Sequence, residues 1–146
     1  MARHLQVYAH EGLRVTFEPT RCIHAAECVR HLPAVFDAQA RPWIRPEAAS
    51  AAEIIAIVQR CPSGALKAYQ HDASQEITAV DVTVEVSRHG PLTIRGPVTV
   101  VDEATGTTVV EDRRMVLCRC GHSARKPFCD GAHRRVRFRD PPDLPA

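Results

Sequence analysis

The sequence predicts an α+β chain built from two small parts, and three observations indicate this. Residues 5–18 alternate apolar and polar side chains and precede a capped apolar run near residue 54. Residues 80–117 alternate with period two between glycine-containing turns. Six cysteines form two groups of three, one in each part. Small domains bury little apolar surface, so a metal is expected to stabilise each part.

The first part, residues 1–72, begins with strands. Residues 13–18 predict a strand, and residues 5–9 predict a weaker strand that pairs with it across a turn at Gly12. A short helix is expected over residues 25–31, before the proline at position 33 ends it.

A second helix is predicted after these elements. Ser50 and Glu53 have the spacing of a capping box, so a helix of about ten residues is expected to begin there and to end at Arg60. Residues 65–69 predict one more short element. The polar run 71–75 predicts a linker between the two parts.

The second part, residues 76–140, predicts a meander of short antiparallel strands. The even-numbered valines of residues 80–86 are expected on one face of the first strand. Turns are expected where glycine and proline interrupt the pattern, at residues 89–91, 96–97 and 105–106. The residues that follow Asp140, 141–146, are predicted to be a disordered tail.

The charge distribution is uneven, although the formal net charge is only +2. Residues 113–146 hold nine basic and three acidic side chains. A basic segment is typical of nucleic-acid binding, but these arginines interleave with cysteines and no recognition-helix pattern accompanies them, so nucleic acid is not the expected partner. The start has no signal-peptide pattern and no apolar run approaches ~18 residues, which predicts a cytoplasmic protein without membrane insertion. In that reducing compartment cysteines bind metals more often than they form disulfides.

The downstream cysteines carry the clearest chemistry. Cys118, Cys120, Cys129 and His133 follow the spacing C-x-C-x8-C-x3-H. Three thiolates and one imidazole suit zinc or an iron–sulfur cluster. A C-x-C pair followed by a long loop is less usual for zinc, so the spacing favours iron–sulfur while a structural zinc site stays open. Asp130 is expected to cap the helical turn that carries His133.

This run resembles the CDGSH iron–sulfur domain, whose pattern is C-x-C-x2-(S/T)-x3-P-x-C-D-G-(S/A/T)-H. Every specified position is met, by Cys118, Cys120, Ser123, Pro127, Cys129, Asp130, Gly131, Ala132 and His133. The resemblance implies an antiparallel β-cap module that binds a 2Fe–2S cluster. It also implies that Cys118 and Cys120 bind one iron, and that Cys129 and His133 bind the other.

The upstream cysteines resemble those of a single-cluster bacterial ferredoxin, which has C-x2-C-x2-C and a remote C-P. Cys22, Cys28 and Cys61 match the first, third and remote positions, but Ala25 stands at the second. The resemblance covers roughly residues 5–70 and implies a small ferredoxin-like βα domain.

The departure at Ala25 bears on the type of cluster in the first part. Three cysteines satisfy three irons, so a 3Fe–4S cluster is the direct interpretation. A 4Fe–4S cluster is the alternative, and it needs a fourth ligand: water, a small thiol or His24.

No catalytic pattern accompanies these sites, and the chain is not expected to be an enzyme. There is no Ser–His–Asp arrangement, no glycine-rich phosphate loop and no nicotinamide or flavin fingerprint. The expected function is one-electron transfer between a reductase and an acceptor protein. The alternative is an iron–sulfur cluster or iron donor, or a redox sensor, that uses the labile His-ligated cluster and passes it to an apo-protein. A monomer is expected rather than a homodimer.

Overall fold

The computed structural model describes residues 4–71, 73–74, 76–77 and 81–142. The chain divides into two compact units, Met1–Thr78 and Ala79–Ala146. Within the described residues, each unit holds a three-stranded antiparallel sheet, and short helices accompany both. The mixed α and β content expected of the chain is therefore confirmed.

The first unit is organised around the central strand of its sheet. β1 (Gln6–His10) and β3 (Leu66–Gln70) flank β2 (Leu13–Phe17), and both run antiparallel to it. The turn between β1 and β2 needs Gly12, because its φ of +81° is left-handed and an added Cβ would lie 2.6 Å from the ring of His71. The predicted hairpin is confirmed, and the short element predicted at residues 65–69 is β3.

Two helices connect β2 to β3. α1 (Glu27–His31) begins two residues later than predicted, because Ala26 has a left-handed φ of +62°. α2 (Ala51–Gln59) has the predicted capping box: Ser50 Oγ accepts the Glu53 N–H, and the Glu53 carboxylate accepts the Ser50 N–H. None of the helices described in the structure is long and apolar enough to cross a membrane.

The core of the first unit lies between α2 and the sheet. α2 contributes Ile54 and Val58, both fully buried, and β2 contributes Val15. The loop between the helices contributes Phe36 and Ile44, which form an isolated bridge. The buried cluster as a whole consists of Leu13, Val15, Val35, Phe36, Ile44, Ile54, Val58, Leu66 and Ala68. Two cysteines of the unit, Cys28 and Cys61, are partly buried against this core.

The second unit is the predicted meander: β4 (Thr83–Val86), β5 (Leu92–Val101) and β6 (Thr108–Leu117) pair antiparallel in that order. The turn predicted at residues 96–97 is wrong. Gly96 lies within a continuous β5, at an irregularity in the pairing with β6. Its φ is +98°, and a Cβ there would collide with the carbonyl oxygen of Asp81, so the backbone approaches too closely for any other residue.

The valines of β4 do not line a buried face. Val82, Val84 and Val86 are 52%, 58% and 54% exposed, and Val80 lies outside the described residues. Among the strands that the structure describes, β4 pairs with β5 alone, so it forms an edge of this sheet. The buried residues of this unit gather instead where β5 and β6 approach the cysteine-rich loop, and they include Thr93, Ile94, Arg114, Met115 and Val116.

The capping box gives a test of the first unit. We expect Ser50→Ala to lower the free energy of unfolding by about 1 kcal/mol, because it leaves a helix N–H without its acceptor. Ser74→Ala, at an exposed serine outside any helix, is the matched control. Urea unfolding followed by circular dichroism measures both. Equal stability of the two variants would show that the capping box does not stabilise α2.

Candidate metal centres

The loop that follows β6 folds back onto the strand that leads into it. The Cys118 N–H donates to the Pro127 carbonyl at 2.8 Å, and the Cys129 N–H donates to the Val116 carbonyl at 2.8 Å. Leu117 and Phe128 form an isolated bridge between these two bonds, and the three contacts close one loop. The two cysteines that begin and end the loop are thereby brought to the same end of β6.

The four predicted donors of this loop form two close pairs. Cys118 Sγ lies 3.8 Å from Cys120 Sγ, and Cys129 Sγ lies 3.5 Å from His133 Nδ1. Among the residues that the structure describes, no three His, Cys, Asp or Glu side chains converge closely enough to hold a single metal ion. Each pair thus places two donors side by side.

The surroundings of these donors affect their protonation. Burial acts to raise the pKa of Cys118, but hydrogen bonds from the Ser123 and Gly121 N–H groups and from Cys120 outweigh it and lower that pKa. Burial raises the pKa of Cys129, and the neighbouring thiols add to the effect. A bound cation would remove this penalty, because it favours the thiolate.

His133 is suited to binding metal as a neutral imidazole. It is only 8% exposed, and burial, followed by the positive charge of Arg134, lowers its pKa below the ordinary value. The neutral form has a free ring nitrogen to act as a ligand. Nδ1 faces Cys129, so Nδ1 is the nitrogen in position to bind metal.

Backbone N–H groups point at the sulfurs. The Gly131 N–H donates to Cys129 Sγ at 3.3 Å, and the His122 N–H donates to Cys120 Sγ at 3.4 Å. Hydrogen bonds to sulfur are one of the means by which proteins set the potential of an iron–sulfur cluster.

Asp130 was predicted to cap the helical turn that carries His133, but it stabilises that turn in another way. The residue that caps α3 (Ala132–Arg135) is Gly131, with a φ of +86°. The Asp130 carboxylate nevertheless accepts the Ala124 N–H at 2.9 Å and the Ala132 N–H at 3.0 Å. These bonds, the one from Ala124 first, lower the pKa of Asp130. The carboxylate thus joins the loop to the helix that carries His133.

Arg119, between the two cysteines of the C-x-C pair, anchors that pair to the β4–β5 turn. Its Nε donates to the Gly90 carbonyl at 2.7 Å, and its Nη2 donates to the Ser87 carbonyl at 2.8 Å. The guanidinium also lies over the ring of Phe138, 5.0 Å from the centroid. No sequence pattern indicated a role for this arginine.

Asp140, the last residue before the predicted tail, completes this anchor. Its carboxylate forms an ion pair with Arg119 and accepts the His89 N–H at 2.6 Å, and its side chain is fully buried. The His89 bond, and then Arg119, lower the pKa of Asp140. Residues 143–146 lie outside the described residues. An aspartate followed by two prolines is also typical of a disordered terminus, so no sequence pattern predicted this contact.

The upstream cysteines come from three different elements. Cys22 follows the 3₁₀ turn Pro19–Arg21, Cys28 lies in α1, and Cys61 follows the end of α2. All three line one cavity, and Ala25 lines it with them. Burial raises the pKa of Cys28, and the nearby Cys61 and Cys22 raise it further. The structure therefore brings together the three predicted donors and the alanine at the vacant position.

His24 lies beside this cavity. Its N–H donates to Cys22 Sγ at 3.4 Å, and its Nδ1 lies 4.0 Å from the same sulfur. The side chain is exposed and is not among the residues that line the cavity of the three thiols. All six cysteines of the chain are free of disulfides.

The comparisons with known proteins agree with this arrangement. Residues 8–71 match the family described as a divergent 4Fe-4S mono-cluster, and residues 89–134 match the family described as iron-binding zinc finger, CDGSH type. The chain belongs to these two families, in that order. It is an iron–sulfur-binding protein.

Two curated relatives share part of the chain. Both are named uncharacterized protein YjdI, one from Escherichia coli strain K12 and one from Escherichia coli O157:H7. Each is 38% identical over 64 residues, which are 44% of this chain and 83% of the relative. Both resemblances found in the sequence of this iron–sulfur-binding protein are confirmed.

The anchor of the C-x-C pair gives a second test. We expect Asp140→Ala to release Arg119, and iron to be lost to a chelator about tenfold faster, as is typical when a partner of the ligand shell is removed. Glu103→Ala, at an exposed carboxylate of the same unit, is the control. The decay of visible absorbance at the second site measures the loss. An unchanged decay in Asp140→Ala would mean that the anchor does not hold the ligands in place.

Proposed function

We propose that this iron–sulfur-binding protein is a one-electron carrier and not an enzyme. Its second unit binds a 2Fe–2S cluster, and its first unit binds a 3Fe–4S cluster, with 4Fe–4S as the alternative. The observation that carries the proposal is the pairing of the donors, with Cys118 next to Cys120 and Cys129 next to His133. When bound, a cluster supplies a site that gains and loses one electron.

The two donor pairs support a binuclear cluster over zinc. A zinc ion takes four ligands around one centre. Two irons bridged by sulfide instead take two protein ligands each, which matches two separate pairs. A neutral imidazole in place of a fourth thiolate removes one negative charge, which raises the potential above that of an all-cysteine cluster.

The cavity in the first unit supports a cluster with an incomplete protein ligand set. Cys22, Cys28 and Cys61 supply three thiolates, and Ala25 supplies none. Each of three irons can therefore take one of these thiolates as its protein ligand. A fourth iron in this cavity would depend on water or a small thiol, and it is the iron that we expect to be lost first.

A second function, cluster or iron donation, is favoured by the exposure of the loop. Cys118 and Cys120 are only half-buried, and Gly121 and His122 beside them are exposed. Incubation with an apo-ferredoxin separates the two functions. A donor transfers its cluster to the apo-ferredoxin, whereas a carrier keeps its cluster and exchanges only electrons.

The surface around the second site supports an acidic redox partner. Six cations within residues 125–139 are exposed: Arg125, Lys126, Arg134, Arg135, Arg137 and Arg139. The carboxylate of Asp130 is occupied by backbone bonds, and that of Asp140 is buried. Positive charge therefore dominates this surface, which favours association with an anionic protein in a reducing cytoplasm.

Anaerobic purification followed by electron paramagnetic resonance tests the proposal. A 3Fe–4S centre gives a signal when oxidised, and a 2Fe–2S centre gives one when reduced, so both signals are expected from one sample. Iron and acid-labile sulfide are measured in parallel. Zinc without labile sulfide would refute the proposed function.

A cysteine at the vacant position gives a third prediction. We expect Ala25→Cys to supply the fourth thiolate, so that the signal of the oxidised sample disappears and a signal of the reduced sample at the first site replaces it. Ala25→Ser is the matched control, because a hydroxyl is a poorer ligand than a thiolate for iron. If Ala25→Cys retains the oxidised-state signal, position 25 does not face the cluster.

Charge reversal tests the partner. We expect Lys126→Glu and Arg137→Glu each to slow reduction of the protein by an acidic flavodoxin hydroquinone, about tenfold at low salt, because steering by opposite charge is lost. High salt should remove the difference. Arg30→Glu, at an exposed position in α1, changes the net charge equally and serves as the control. Equal rates in all three variants would exclude this surface as the docking site.

A further inference from the structure

A second cavity adjoins the three thiols of the first unit. Its volume is about 540 Å³, which lies within the range of small-molecule sites in proteins, about 300–1,000 Å³. Cys22 and Cys28 line both this cavity and the cavity of the three thiols. A molecule bound in the second cavity would therefore lie directly beside two of the proposed cluster ligands.

Three aromatic rings form much of the wall of this cavity, and their positions are fixed. Gln6 Oε1 accepts hydrogen bonds from the Tyr8 hydroxyl at 2.7 Å and from Trp43 Nε1 at 3.1 Å. The ring of Phe17 meets that of Trp43 edge-on, with 4.7 Å between centroids. One glutamine thus holds two rings, and the third packs against one of them, before any ligand binds.

We propose that this cavity binds a planar aromatic electron carrier, with a ring of the quinone or flavin class. The fixed rings of Tyr8, Phe17 and Trp43 provide stacking surfaces for a flat ring. Arg41, which is exposed and also lines the cavity, provides a cation for a carbonyl oxygen or a phosphate of the ligand. The inference deepens the proposed electron-transfer function and rests on it for the cluster at the neighbouring thiols.

The sequence offers a direct reporter, because Trp43 is the only tryptophan in the chain. We expect menadione, a quinone without a phosphate, to quench its fluorescence with a saturable dependence on concentration in the full-length protein. Riboflavin and flavin mononucleotide are titrated in the same way and distinguish the two classes of ring. If flavin mononucleotide binds more tightly than riboflavin, the guanidinium of Arg41 contacts the phosphate of the ligand. Quenching that rises linearly, as for free N-acetyltryptophanamide, with all three compounds would overturn the proposal.

Two variants locate the binding. Tyr8→Leu removes one ring of the wall and is expected to weaken binding about tenfold. Tyr69→Leu, which removes the other tyrosine of the chain at a position outside the cavity, is the matched control and should bind normally. Ala38→Phe changes an exposed residue of the wall, so it should fill the cavity without disturbing the core, and it should abolish binding. Equal affinity in the wild type and Ala38→Phe would overturn the proposal, even if Tyr8→Leu does not fold.

The titrations are made on the metal-free and on the iron-loaded protein. In the loaded protein, binding should also shift the paramagnetic resonance signal of the first site, and Ala38→Phe should not show the shift. If the protein cannot be loaded with iron and sulfide but still binds the ring, the proposed function is refuted and the cavity site stands. A loaded protein whose fluorescence and spectrum do not respond to any of the rings would refute the cavity site alone.

Discussion

The cost of ionising thiols that are buried beside one another is the constraint on which both units depend. Burial, and then the neighbouring thiols, raise the pKa of Cys129 in the second unit and that of Cys28 in the first. In the pair of Cys118 and Cys120, whose sulfurs lie 3.8 Å apart, hydrogen bonds outweigh burial and lower the pKa of Cys118. Cys28 and Cys129 therefore favour their neutral forms until a cation compensates the charge. The fold must hold these thiols in place by other contacts, and it relies on the metal to stabilise their ionised forms.

The two units hold their thiols in different ways. In the second unit the contacts are mostly local: backbone bonds close the loop after β6, and the buried Ser123 donates to the Phe128 carbonyl and accepts the Arg125 N–H. In the first unit the donors are distant in sequence, and the packing of α2 on the sheet brings Cys61 to Cys22. Loss of the apolar core would consequently disperse the first site, whereas the second site depends on hydrogen bonds within one loop.

This difference explains what the sequence could predict. The capping box at Ser50, the turn at Gly12 and the donors of the loop are local patterns, and each appears in the structure where the pattern placed it. The bond between His89 and Asp140 joins residues 51 positions apart, and no local pattern distinguishes that aspartate from one in a tail. Contacts of this kind depend on the completed fold.

The valines of β4 are a second case in which a local sequence pattern does not determine tertiary packing. Alternation correctly indicated a strand with its valines on one face, but that face is not covered, because all four residues of β4 are exposed. Alternation gives the period of side chains along a strand; whether another layer covers one face is decided by tertiary packing. The predicted turn at Gly96 is wrong for a related reason, since a glycine with positive φ serves a bulge within a strand as well as a turn.

The electrostatics of the second site follow from its one imidazole. With the proposed 2Fe–2S cluster in place, the neutral ring of His133 replaces one thiolate and removes one negative charge from the cluster, and less negative clusters accept an electron at higher potential. The exposed arginines after Cys129 act in the same direction. In the proposed 3Fe–4S cluster of the first unit an iron is missing together with the thiolate at Ala25, so the missing thiolate by itself does not lower the negative charge of that cluster. The proposed 2Fe–2S site is therefore the one biased toward a potential above that of an all-cysteine ferredoxin, which suits a protein that receives electrons from such carriers.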